Sequence, residues 1–356
     1  MINAKRIVWL DILRVFSAFA IVSLHVSSYY LENSIPFGSA SWCLTDLYLA
    51  FTRFAVPVFV MMSGVFFLNP EKEITLGNIF KKYVFRMLTV WLGWAALRTL
   101  IVNIGVGGDP MEKWAMDFFV SLQWYWFLPM IMGLYIFTPL LRPLVATGTR
   151  TLLVYFMVIS LFLATVCPVL EEVEKALLPN WLPISSFTNL IKIPCLIFGA
   201  HFVFGYYVCK FGIGRRAKKW LYAGAWASLL LMTAGTYAYF NVRPNPFYKY
   251  ATFGASITPF AFLLGAGLFV WVKEHLEKVH FFDKAVSLIQ HLAYYSLGVY
   301  MCHLILVDLC MHYGWFKAFG ACPVVMVGAF SVLLFVLSNG IIALLYQIPG
   351  LKKYLL

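Results

Sequence analysis

Charge is scarce in this chain. Asp, Glu, Lys and Arg make up 12% of its 356 residues, while 62% are hydrophobic. A soluble domain carries roughly 25% charged residues, so a water-soluble enzyme, a disordered chain and a fibre are excluded. No CxxC pair and no Cys/His zinc spacing occurs among the seven cysteines, which argues against a metal site. The segment Gly212-Ile213-Gly214 lacks the strand–helix context of a phosphate loop. No low-complexity linker divides the chain, which reads as a single membrane-embedded domain over 1–356. Without an internal repeat, an inverted-repeat transporter is disfavoured. The period-two alternation of a porin strand is missing as well.

What is present is a series of long apolar runs, with a mean hydropathy of +0.83. Such runs define an all-α polytopic membrane protein. A window of about 19 residues places about ten transmembrane helices, near 7–29, 44–68, 84–104, 119–141, 151–170, 190–209, 219–240, 253–272, 288–312 and 322–346. The net charge of +12 is therefore a matter of topology and not of nucleic-acid binding. Lys5, Arg6, Lys72, Lys81, Lys82, Arg86, Arg142, Arg150, Lys210, Arg215, Arg216, Lys218 and Lys219 fall in segments on the N-terminal side, as do five further lysines. The opposite segments hold Lys113, Lys175, Arg243, Lys249 and Lys317. This bias predicts that both termini are cytoplasmic. The outer segments lean acidic, with Asp109, Glu112 and Asp117 among them.

Ionisable side chains inside spans are expensive and are functional candidates by default. The first span has Asp11, Arg14 and His25. Eleven residues at 100° each come to within about 20° of three turns, so Arg14 and His25 share a face, about 16 Å apart along the axis. Asp11 lies one turn before Arg14 and can pair with it. The second span carries Asp46, Arg53 and Ser63-Gly64, and the small pair also suits close helix packing. Arg98 lies deep in the third span without an evident partner. Gln123-Trp124-Tyr125-Trp126-Phe127 suits an interfacial aromatic belt or the floor of a sugar site. The ninth span holds Ser296, Tyr300, His303 and Asp308. A lone His303 also fits a structural histidine, and His201 and His291 are weaker candidates.

Taken together, these residues resemble acyltransferase family 3, bacterial membrane-integral acyltransferases that act on envelope glycans. The likeness runs along most of the chain. It rests on Leu10-Asp11-Ile12-Leu13-Arg14 through His25, and on Arg53-Phe54-Ala55-Val56-Pro57 with Ser63-Gly64. Lys81-Lys82 with Arg86, Trp126-Phe127-Leu128 with Leu134-Tyr135 and Pro139, and Ser296 through His303 complete it. Lys82 replaces a frequent arginine and Val65 a frequent phenylalanine. The likeness is to stand-alone members that carry no fused extracytoplasmic domain.

The resemblance implies an O-acyltransferase of a bacterial inner membrane, with acetyl-CoA as the acyl donor. The acceptor would be a hydroxyl of a cell-surface polysaccharide or glycolipid. Arg14, Lys82, Arg86 and Ser63 are the candidates to hold the donor. Its phosphates suit a basic rim. His25 is the candidate general base, served by Arg14 and oriented by Asp46 or Asp308. Arg53, Trp124, Trp126, Tyr300 and His303 are candidates to bind substrate. Arg53 and Arg98 both remain open as donors to the oxyanion. Membrane lipid is the expected surrounding, homo-oligomers are left open, and no metal is implied. The competing reading is a transporter or exporter of a glycan or small anion.

Overall fold

The structure, a computed structural model, describes residues 7–105, 110–177, 198–242, 255–318 and 322–354. Lys5, Arg6, Asp109, Lys192, Arg243 and Lys249, with residues 190–197 of the expected 190–209 span, lie outside the described residues. All regular structure among the described residues is helical. Among the described residues, eight helical segments are long and apolar enough to cross a membrane, with Ala40–Phe67 counted as one, against the ten expected. The expected 219–240 span is a helix of 28 residues, Arg215–Val242, but its apolar content falls short of the other eight.

Contacts divide the chain into two units, each assembled from separate stretches of sequence. The first holds α1 (Val8–Asn33), α4 (Leu76–Gly105), α5 (Trp114–Trp124), α11 (Asp283–His312), α12 (Trp315–Ala318), α13 (Pro323–Leu345) and α14 (Pro349–Tyr354). The second holds α2 (Ala40–Thr52), α3 (Ala55–Phe67), α7, α8 (Gly199–Phe211), α9 (Arg215–Val242) and α10 (Pro259–Leu276). Helix α7 begins at Arg150–Leu161 and passes through a π-helical turn into Cys167–Leu177. Helix α6 (Phe127–Thr147) gives residues 127–136 to the first unit and 137–147 to the second.

In the first unit α1 packs on α11 and α13, which also pack on each other, while α4 packs on α5 and α11. Tyr30 anchors one end of this core by donating its hydroxyl to the Phe316 carbonyl at 3.0 Å.

In the second unit α3 and α8 cross at two glycines. A Cβ on Gly64 would overlap the Phe202 carbonyl, and one on Gly205 would overlap the Met61 carbonyl. Small residues at such a crossing let two backbones touch, which is how helices gain packing where lipid gives no hydrophobic driving force. Ser63 turns its hydroxyl back to the Phe59 carbonyl at 3.0 Å. Arg142, which the sequence placed only by side, clamps the end of α3 by donating to the carbonyls of Phe67, Asn69, Pro70 and Lys72. The Phe67 carbonyl is one that a helix C-terminus leaves without a partner, and the other three belong to the segment that follows α3.

Two expected spans are broken, and one rule explains both. A proline lacks an N–H and its ring meets the carbonyl four residues earlier. Pro57 therefore stops α2 at Thr52 and sets Arg53 in the break before α3. Pro129 does the same at Tyr125, separating α5 from α6. The aromatic string at 123–127 is thus a helix break and not the first turn of a span.

Candidate functional site

Side chains from α1, α4, α5 and α11 of the first unit meet in one cluster. The His25 ring lies 5.1 Å from the His303 ring and 6.3 Å from the Trp124 ring, centre to centre. The Arg98 guanidinium sits over Trp124 at 5.6 Å. Arg98 donates from Nε to Asp308 Oδ2 at 2.7 Å and from Nη1 to Ser121 Oγ at 3.0 Å. Thr99 Oγ1 stands 3.1 Å from the same Ser121 hydroxyl. The Arg98 side chain is 11% exposed and that of Asp308 23%. A desolvated arginine needs such a carboxylate, and the paired hydrogen bonds fix its plane. Its Nη2 group has no partner among the described residues and remains a donor.

His303 is fully buried. Its Nδ1 lies 3.1 Å from the Val299 carbonyl, which can only accept. The neutral ring therefore carries its proton on Nδ1, and Nε2 is left as an acceptor with no hydrogen-bond partner among the described residues. Tyr300 is buried beside it, 5.9 Å from the His303 ring and 5.7 Å from Phe127. The break at Tyr125 serves the same cluster, because the Tyr125 hydroxyl donates to the Met301 carbonyl at 3.0 Å and ties the loop to α11. Trp124 is 47% exposed and His25 half-buried, so the cluster is reachable. Trp126 is 40% exposed and packs on Phe127.

Arg14 shares the unbroken helix α1 with His25, as the spacing predicts, and pairs with Asp11 at 3.3 Å. Lys81 and Lys82 occupy a π-helical stretch at the start of α4, exposed, with Arg86 one turn further. Lys82 reaches over the Tyr83 ring at 5.6 Å.

The remaining candidates, His291 apart, belong to the second unit. Asp46 is 3% exposed, and its polar neighbours there are Arg53 and Thr233. Among the described residues Asp46 Oδ2 and Arg53 Nε have no hydrogen-bond partner, and the two groups form no direct ion pair. Ser63 stands at the glycine crossing. His201 is fully buried between the Phe198 and Phe262 rings, and His291 is exposed and bonded to the Ser287 carbonyl. Cys43 and Cys322 are both free.

Of the expected site residues, His25, Asp308, Trp124, Tyr300 and His303 therefore come together. Asp308, offered as a carboxylate for His25, holds Arg98. The sequence reading missed Ser121 and Thr99. It singled out Arg98 without a partner, and an intramembrane arginine with an unassigned partner was the one available signal.

The fold and the cluster define a multi-pass membrane protein with a positioned histidine–arginine site inside its helices. The family model for acyltransferase family 3, described as an acyltransferase domain, matches residues 7–346, and the chain belongs to that family of acyltransferases. No curated protein and no solved structure matches the chain.

Proposed function

We propose that the protein is an O-acetyltransferase of a bacterial inner membrane, with both termini cytoplasmic. It moves the acetyl group of acetyl-CoA to a hydroxyl of a cell-surface polysaccharide or glycolipid. The observation that carries this reading is the meeting of His25, His303 and Trp124 with an arginine held by Asp308 and Ser121.

The chemistry follows from those groups. His25 takes the proton of the acceptor hydroxyl as its oxygen attacks the thioester carbonyl. Negative charge gathers on the carbonyl oxygen. Arg98, fixed by two hydrogen bonds and keeping Nη2 as a donor, is suited to meet it. The carbon–sulfur bond then breaks, and the CoA thiolate leaves and regains a proton from the His25 imidazolium. The ester is left on the acceptor, and His25 is neutral again. Trp124 offers a face on which a sugar ring can stack, and His303 Nε2 offers an acceptor to a sugar hydroxyl. Arg14, Lys82 and Arg86 supply cations in the same unit for the phosphates of CoA. Within α1 the distance from Arg14 to His25 is about 16 Å, the kind of span a phosphate end and a reacting thioester require of one extended donor.

The test uses purified protein in nanodiscs, acetyl-CoA and a mixed envelope-glycan extract. Release of free CoA thiol is followed for wild type, His25→Ala and Arg14→Ala. Turnover is expected in the wild type, and loss of the general base removes on the order of 10²–10⁴-fold. Arg14→Ala is expected to raise the acetyl-CoA KM. Unchanged turnover in His25→Ala would overturn the assignment. Transport of a glycan without thioester cleavage would favour the exporter.

A further inference from the structure

The second unit has a groove of about 350 Å³ between α9 and α10, with Phe51, Tyr222, Trp226, Leu229, Leu264 and Trp271 among its lining. Its walls are apolar, and Trp226 and Trp271 are 72% and 47% exposed at its rim. The two helices run antiparallel. Lys218 meets Glu274 at one end, Gly267 faces Ala225, and Gly224 faces Leu263 further along. The close approach at Gly267 lets the two helix axes converge, and Gly267 and Ala225 themselves line the groove.

A stripe of charge runs into this groove. Arg215, Lys218 and Lys219, Tyr222, Ala225 and Trp226, then Leu229 follow one another at three- and four-residue steps. Residues so spaced share a helix face. The cations of the first turn are thus in line with the apolar trough. Lys218 is neutralised by Glu274 at 2.8 Å, and Lys273 by Glu277 at 2.9 Å. Arg215 and Lys219 on this face, and Arg216 flanking it one turn before Lys219, are exposed and have no carboxylate partner among the described residues. From Arg215 to Leu229 the helix rises about 21 Å, half the ~40–45 Å of a bilayer with its headgroups, which is one leaflet.

We propose that this groove binds one anionic phospholipid. An acyl chain lies along Trp271, Tyr222, Trp226 and Leu229, and the phosphate sits on Arg215, Arg216 and Lys219. Charge selects this occupant. An apolar trough alone accepts any lipid tail, but three unneutralised cations at its mouth favour a headgroup with net negative charge. The inference is independent of the reaction proposed above.

Native mass spectrometry of the full chain in a non-ionic detergent tests it, by titration with dioleoylphosphatidylglycerol, dioleoylphosphatidylcholine and palmitoyl-CoA. The anionic lipid is expected to bind about tenfold tighter than the zwitterionic one. In the Arg215→Gln/Arg216→Gln/Lys219→Gln variant, whose changes are on exposed side chains, that preference should fall to less than about twofold. Leu229→Trp, which fills the trough, should weaken both lipids while circular dichroism stays unchanged. Equal binding of the two lipids to wild type would overturn the proposal. So would a preference that survives the triple substitution. Displacement of the anionic lipid by equimolar palmitoyl-CoA would also overturn it and assign the groove to an acyl donor.

Discussion

The two units treat buried charge in opposite ways. In the first, Arg98 reaches Asp308 at 2.7 Å and Ser121 at 3.0 Å, beside a pair of histidine rings. In the second, Asp46 and Arg53 are neighbours without a direct bond, and Gly64 and Gly205 bring two helix backbones into contact. Both units place an ionisable residue where lipid would penalise it. Between Arg98 and Arg53, Arg98 alone is held in a fixed plane with a donor left over. Burial of a charge marks a candidate, and the hydrogen bonds that orient it mark a site.

The comparison is broken most directly by removing the two carboxylates. Asp308→Ala leaves Arg98 without its counter-charge and should destabilise the protein by about 3 kcal/mol, the low end for a buried pair because Asp308 is partly exposed. Asp46→Ala breaks no direct ion pair and should cost well under half of that. Thermal unfolding in one detergent compares the two, and an equal loss would erase the distinction between the units.

The glycine crossing predicts the next effect. Gly64→Leu drives a side chain into the Phe202 carbonyl and should cost about 1–3 kcal/mol, as overpacking does. Its unfolding temperature should fall. A Gly64→Leu protein as stable as wild type would show that α3 and α8 are not in backbone contact.

The smallest effect belongs to Ser63. Its hydroxyl bonds within its own helix, so Ser63→Ala should shift stability by less than about 0.5 kcal/mol and leave the acetyl-CoA KM unchanged. A several-fold rise in that KM would return Ser63 to the donor site.

Much of this was legible in the residues. Apolar runs set the helical membrane class, and the eleven-residue spacing of Arg14 and His25 put them on one face of an unbroken helix. Asp11 pairs with Arg14 at the expected three-residue step. Other features depend on tertiary contact. The Arg98–Asp308 bond joins residues 210 apart in sequence, and no local period encodes such a pair. Ser121 reads as an ordinary small polar residue until α5 lies against α4. The breaks at Pro57 and Pro129 agree with a local rule, but proline position alone does not foretell them, because α6 runs unbroken through Pro139 and Pro143. A hydropathy window averages across such a break and returns one span.

The central claim is that Arg98, and not Arg53, meets the charge that develops on the thioester carbonyl. Steady-state transfer from acetyl-CoA by Arg98→Lys and Arg53→Lys tests it, because lysine keeps the charge and loses the planar fork. The account predicts a fall of about 10²-fold in kcat for Arg98→Lys with little change in either KM, and near-normal kcat for Arg53→Lys. The reverse pattern would contradict it and move the oxyanion donor to the second unit.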